Sequence, residues 1–261
     1  ITNNGTFQMN GDETLTTGTL SISGNTKIVD VSGATLTTGL SGLENVEFNS
    51  SSGSSQTFVL SENLTYVSGN ITIASGTVLD ASGSNYNIDL DGNWSNSGTF
   101  TQRTGTVTFS GSSAQSISGT NTFYNLTINN SHGSSKVSAD GSTLTVQNDL
   151  LISDGIFESA SDYHDVTINA GTTLELTGNI TVSGTWTNNG TLTPSTHKVT
   201  FDGSSAQTVT TGGTGSGKPF YDVEINNTAS HSGNSDDVDC DAIKVTNTLT
   251  ITDGQIQPAD G

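Results

Sequence analysis

A long internal repeat constrains this chain more than any single motif does. The string NNGT begins at Asn3, NSGT at Asn96 and NNGT again at Asn188, at steps of 93 and 92 residues. Around the last two copies the match widens. Asn93-Trp94-Ser95 aligns with Thr185-Trp186-Thr187, Val107-Thr108-Phe109 with Val199-Thr200-Phe201, and GSSAQ at Gly111 recurs at Gly203. The run 123–130 (FYNLTINN) returns as 220–227 (FYDVEINN), 97 residues on, because a Gly-rich insertion near 212–219 lengthens the second copy. NDLLISDG from Asn148 returns as NTLTITDG from Asn247, and NITIASG from Asn70 is a more distant version. A block this long holds several structural units and points to a stacked, quasi-one-dimensional architecture.

Inside the block, apolar residues alternate. Ile71-Thr72-Ile73, Leu126-Thr127-Ile128, Leu144-Thr145-Val146, Val166-Thr167-Ile168, Leu174-Glu175-Leu176 and Leu249-Thr250-Ile251 all have period two. Period two is the mark of a strand with one buried face, and the intervening threonines suit an exposed strand surface. Clusters such as Asp91-Gly92, Ser153-Asp154-Gly155 and Thr252-Asp253-Gly254 supply turns between them. No stretch carries sustained helical spacing.

Only 30% of the chain is hydrophobic, less than a two-layer sandwich of this length usually has. A triplet such as Leu126-Thr127-Ile128 buries two side chains and cannot form a core alone. Coils stacked on one another bury such pairs in a continuous column, and each strand pairs above and below. The expected fold is therefore all-β: a β-solenoid, read as a right-handed parallel β-helix of about a dozen coils with a ~92-residue superrepeat and about four coils in each superrepeat. At about 4.8 Å per coil the rod would be roughly 55–60 Å long. The expected organisation is one continuous solenoid over 1–261, with superrepeats at about 1–93, 94–185 and an incomplete 186–261. The competing arrangement is two or three small β-sandwiches of about 92 residues. Against it, no linker separates the copies and no consistent seven-strand spacing with core tryptophan and cysteines appears. The opening Ile1-Thr2-Asn3-Asn4-Gly5-Thr6 matches Trp186-Thr187-Asn188-Asn189-Gly190-Thr191, so both ends are expected to fall inside the repeat pattern, as in a segment of a longer protein.

Charge narrows the partners. Lys and Arg total 6 against 25 Asp and Glu, a formal charge of −19. Six scattered cations cannot neutralise a phosphate backbone, which argues against nucleic acid. An anionic membrane surface would repel the chain, and no apolar run is long enough to span a bilayer. The single cysteine, Cys240, has no internal partner for a disulfide.

The combination GNWSNSGTF, GTVTFSGSSAQSISG and TFYNLTINN resembles β-strand repeats of very large bacterial surface and secreted proteins. It is similar in architecture to filamentous-haemagglutinin-type adhesins and autotransporter passengers. The resemblance covers most of 90–261 well and 1–89 loosely. It implies a secreted, cysteine-poor protein at the cell surface, and it carries no shared catalytic residues.

The sharpest local feature is the run Asn234-Ser235-Asp236-Asp237-Val238-Asp239-Cys240-Asp241. Alternation puts Asp237, Asp239 and Asp241 on one side, where a hard cation such as Ca²⁺ would relieve their repulsion. The spacing is not that of an EF-hand, and the plain alternative is a solvated acidic loop. A polysaccharide-cleaving β-helix would need a Lys or Arg base, or paired carboxylates at a defined separation. Arg103 and Lys27, Lys136, Lys198, Lys218 and Lys244 lie in different repeats. Asp236-Asp237 and His132-Gly133 lie about four coils apart by this reckoning. His132, His164, His197 and His231 have no metal-ligand spacing. The glycines from Gly212 to Gly217 end in Lys218-Pro219 and read as an inserted turn, since a phosphate-binding loop needs Ser or Thr after the lysine. Trp94, Trp186, Phe109, Phe201, Phe123 and Phe220 recur at repeat positions and are expected to be buried rather than to stack on sugars, with Tyr124 and Tyr221 partly exposed. Thr-x-Thr pairs such as Thr143/Thr145 are too irregularly spaced for an ice-binding array. Asn-x-Ser/Thr triplets at Asn4, Asn63, Asn125 and Asn189 are chance matches in such a composition.

The function expected is non-catalytic and extracellular: a rod-like stalk or adhesin segment, or a filament subunit, on a bacterial surface. The alternative is a β-helix protein that binds or cleaves polysaccharide. Expected partners are further copies of the chain end to end, or surface glycans, with no nucleic acid and no membrane insertion.

Overall fold

A computed structural model describes residues 6–9, 25–30, 35–36, 43–50, 56–131, 133–229 and 238–258, and the statements below concern those residues. All regular structure is β. Every strand pairing is parallel, as it must be when the chain winds in one sense. The chain forms a parallel β-solenoid of about 9 turns.

Each turn places three strands on three ladders. One ladder runs through Val46, Ile71, Trp94 and Ile117 and on through Val137, Phe157, Leu174 and Leu192. A second runs through Leu64, Ile88, Val107, Leu126, Leu150, Val166, Trp186, Val209 and Cys240. The third carries Phe58, Leu79 and Phe100, and then Val146, Tyr163, Val182, Phe201 and Ile225. Some strands bend round a corner without breaking, as Thr143–Asp154 and Asp162–Ile168 do. The inward residues form one hydrophobic column. Leu126 and Ile128 are fully buried while Thr127 between them faces outward. All six aromatics expected inside are inside. Trp94 packs edge-on against Phe100 and Phe123, with centroids 5.0 and 5.5 Å away, and Trp186 packs tilted against Phe220 at 5.4 Å and edge-on against Phe201 at 6.3 Å.

Two expectations need correction. The described residues make about 9 turns rather than a dozen, which at about 4.8 Å per coil gives a rise of roughly 43 Å. Turns vary in length: the step is 16 residues from Leu150 to Val166 and 31 from Val209 to Cys240. Corner connections such as 211–219 use chain without adding strands. Nor does the superrepeat hold four coils. From Trp94 its ladder takes five turns to reach Leu192, whereas Trp186 sits one strand earlier, on the ladder of Leu126 and Val166. The repeat thus falls one strand short of five whole turns, and the second copy is rotated onto the neighbouring face.

The repeated GSSAQ motif explains itself in the corners. Gln207 is buried, and its Nε2 donates to the carbonyls of Val182 and Gly184, each at 2.8 Å. Its Oε1 accepts from Gly203 N–H and from Asn227 Nδ2, each at 2.9 Å. Both donors and both acceptor positions of the amide are filled. Gln115 repeats the arrangement, donating to Gly92 O at 2.8 Å and Leu90 O at 3.2 Å and accepting from Gly111 N–H at 3.2 Å and Asn130 at 2.9 Å. These clasps tie three successive coils and satisfy backbone groups that water cannot reach. The glycine of each SDG or TDG marker sits over the buried asparagine. Gly155 has φ +82, and a Cβ there would lie 2.5 Å from Asn130 O; Gly254 has φ +87 over Asn227. Only glycine takes both the conformation and the contact without strain.

The outer corners carry asparagine ladders. Asn45 Oδ1 accepts from Asn70 N–H, Asn70 Oδ1 from Asn93 N–H, and Asn93 Oδ1 from Ser116 N–H, at 2.7–2.8 Å. Asn63 likewise serves Asn87 N–H at 2.9 Å. Side-chain carbonyls continue the strand pairing where the backbone turns away.

Candidate functional site

The acidic run singled out in the sequence is divided. Asp236 and Asp237 lie outside the described residues. Val238–Cys240 is a strand with Val238 and Cys240 inward and Asp239 outward, where Asp239 accepts from Gln257 Nε2 at 2.7 Å. Asp241 lies just past the strand and caps a corner of the preceding coil. Its Oδ1 accepts from Thr211 N–H at 2.8 Å, Thr211 Oγ1 at 2.9 Å and Ala242 N–H at 2.7 Å. Its partial burial pushes the carboxyl pKa up, but the donors from Thr211, Ala242 and Gly212 outweigh that and hold it below the ordinary value. The ladder registers align 137–140 with 238–241, because Gln115 pairs Val137 as Gln207 pairs Val238. Asp241 is thus the counterpart of Asp140, and Cys240 that of the buried Ala139. Among the described residues no three His, Cys, Asp or Glu side chains come together as a metal would need.

The cations are scattered as the sequence implied, and each of the four below has a structural partner. Arg103 makes a two-pronged pair with Asp80, Nε to Oδ1 at 2.9 Å and Nη2 to Oδ2 at 2.6 Å, and the Arg103 hydrogen bond holds the Asp80 carboxyl below its ordinary pKa. Lys136 bridges Glu158 and Glu175 on the next two coils, and Lys198 pairs with Glu224. Lys218 donates to the backbone carbonyls of Gly190 at 2.7 Å and Asn188 at 2.9 Å. Residues 211–219 form a turn, and Gly213 and Gly217 in it have positive φ. His132 and His231 lie outside the described residues, as does Asn4. His164 is half exposed beside Asp165, and His197 lies in the turn after Ser195.

One surface groups polar side chains in a way the sequence did not announce. An open groove of about 520 Å³ crosses the corner after Val146, Tyr163, Val182 and Phe201. Its outer wall is a registered row, Thr145, Asp162 and Thr181, one residue per coil. Its corner wall is Gln147, His164, Ser183 and Asp202. Thr181 donates to Asp162 at 3.0 Å. Gln147 accepts from Gln102, two coils away, at 2.9 Å. Asp202 is half-buried, and its Oδ1 is shielded from water and accepts no hydrogen bond. Burial raises its carboxyl pKa, and the nearby Asp162 charge adds to the effect. The sequence signal was present but faint: three residues that each follow an inward position. Only the coil lengths, which the sequence does not reveal, bring them side by side.

No family model, curated protein or solved structure matches this chain, so its functional reading stands on the geometry above.

Proposed function

We propose that this chain is a segment of a non-catalytic, extracellular rod on a bacterial surface, serving as a stalk or adhesin segment or as a filament subunit. The observation that carries the reading is the parallel pairing that passes from coil to coil among the described residues, locked by neutral amide clasps. Such a stack keeps its cross-section while each coil adds a fixed rise of about 4.8 Å. The interior is spent on packing, and its buried amides bond one another and the backbone. The outward acidic surface, −19 overall, opposes sideways association of strand edges and keeps a rod soluble. Surface labelling of intact producing cells with an antibody to this chain tests the location. Labelling of intact cells is the expected result, and signal only after lysis would overturn it. Solution X-ray scattering tests the shape: a constant rod cross-section is expected.

The filament version of this reading is tested by size: length growth with concentration supports it, and a monomer at every concentration rejects it. Calcium at Asp237, Asp239 and Asp241 belongs to the same proposal, and a melting temperature indifferent to both Ca²⁺ and chelator would remove it.

A further inference from the structure

The groove beside Tyr163 differs from its own counterpart in the other repeat block. Ninety-two residues upstream, Asp91 and Ser110 stand where Ser183 and Asp202 stand. There Ser110 Oγ donates to Asp91 at 3.1 Å and also to Asp89. In the groove the two residue types have exchanged places. Ser183 Oγ turns to the Tyr163 carbonyl at 3.5 Å, and Asp202 Oδ1 is left without a donor. The same wall is thus self-satisfied in one block and open in the other.

We propose that this groove binds an uncharged, hydroxyl-rich polysaccharide lying along the solenoid axis. This deepens the adhesin reading above, and the rod itself does not depend on it. An acceptor in a partly dry site is completed by a neutral O–H, which brings a proton to share without bringing a charge to desolvate. Asp162 and Asp202, two coils apart, offer carboxylate acceptors to hydroxyls, while Gln147 and the Thr and Ser hydroxyls can both donate and accept. The polar rows repeat at the coil spacing, about 4.8 Å. That is close to the advance of one pyranose unit in an extended chain, so successive sugars would meet successive rungs. The two carboxylates select against polymers of uronic acid or sulfated sugar. The groove is open to solvent, which suits a chain lying across it rather than a small molecule enclosed.

Affinity electrophoresis of the folded chain in gels containing a mixed-linkage glucan, a galactomannan or polygalacturonate tests the proposal. At least one neutral polymer is expected to retard the protein, and polygalacturonate is not. Asp162→Asn with Asp202→Asn should weaken retardation at least tenfold, whereas Asp89→Asn with Asp91→Asn should leave it unchanged. Ser183→Trp, at an exposed position, should block the groove without touching the core. It gives a second reading if the aspartate variant melts early. Absence of retardation by every neutral polymer, equal retardation by polygalacturonate, or full retardation of Ser183→Trp would each overturn the proposal. None of these outcomes alters the scattering or cell-labelling tests, so failure here and failure of the rod reading are separable.

Discussion

Trp94 and Trp186 occupy the same place in two copies of the repeat, and both are fully buried. The Trp94 indole donates to Asn121 Oδ1 at 2.7 Å, and the same oxygen accepts from Asn96 Nδ2 at 3.2 Å. The counterpart of Asn121 is Lys218, reached after the Gly-rich insertion. An ammonium has no lone pair to offer an indole N–H, and Trp186 Nε1 has no partner. Lys218 instead takes over the carbonyls of Asn188 and Gly190, and burial lowers its pKa while the Asp241 charge works the other way. The apolar and amide contacts of the repeat are copied faithfully; the polar contact at one corner is not. The first copy has a closed network there. The second has given up one hydrogen bond and gained a protruding turn. The same contrast holds at Arg103 and Ser195, repeat counterparts that share a left-handed φ of 53 and 51. Arg103 adds its pair with Asp80, and the backbone conformation is kept without it in the second copy. Backbone shape is the inherited quantity, and side-chain partners are adjusted around it.

The comparison can be broken most forcefully in the column. Leu126→Asp and its counterpart Val223→Asp each place an unpaired charge among buried strands, and each should cost more than about 4 kcal/mol. Hydrogen exchange should show loss of protection on the mutated coil and on its neighbours above and below. Protection lost in only one of the two blocks would mean that the ladders are not equivalent. The clasps come next. Gln115→Leu and Gln207→Leu each strand several buried polar groups and should each lose about 2–4 kcal/mol in urea unfolding. A gap above about 1 kcal/mol between them would deny that the two clasps do the same job. At the tryptophans the copies should part company: Trp94→Phe breaks a hydrogen bond and leaves Asn121 Oδ1 with Asn96 as its remaining donor, whereas Trp186→Phe removes an orphan donor, so the first should cost about 1 kcal/mol more.

A smaller, pH-dependent difference belongs to Cys240, whose pKa is pushed to about 11 by burial and, further, by the Asp241 charge. An acid whose folded pKa is raised supports the fold below its ordinary pKa, and that support is lost as pH climbs toward about 11. Cys240→Ala, which installs the residue the first copy has at Ala139, should therefore raise the midpoint of alkaline unfolding. An unchanged midpoint would show that the thiol is not held protonated by the fold. The smallest effect is expected at the outward row. Thr127→Glu installs what the second copy already carries at Glu224, and its melting should shift stability by no more than about 0.5 kcal/mol.

Much of the fold is legible in the sequence because burial in a solenoid is local and periodic. Leu126, Ile128, Val166 and Ile168 announce their side of the strand by alternation, and the six repeated aromatics announce the column. The turn count is less legible, because Gly, Ser and Thr fill corners and strands alike, and nothing in 211–219 says how many residues a corner will take. The buried amides were hidden for a different reason. Gln115, Gln207, Asn130 and Asn227 read as surface residues until neighbouring coils supply their partners, each from 15 or more residues away. Asp239 and Asp241 alternate as the sequence suggests, but Asp241 spends its carboxylate on a corner it could not be seen to touch. The groove was least legible, since Asp162 and Asp202 are forty residues apart and line one groove only through the lengths of two intervening turns.

The one-strand shortfall between the Trp94 block and the Trp186 block has a directional result. Whatever the first of these blocks displays on a given side, the second displays on the adjacent side. Identical stretches of sequence therefore point along different compass bearings. A partner approaching from a fixed direction would meet one block's version of a feature and not the next. The bearing does not advance by a fixed amount along the chain: Phe7, the counterpart of Phe100 and Leu192, lies on the ladder of Val46, Ile71 and Trp94 that runs on to Leu192, not on that of Phe100.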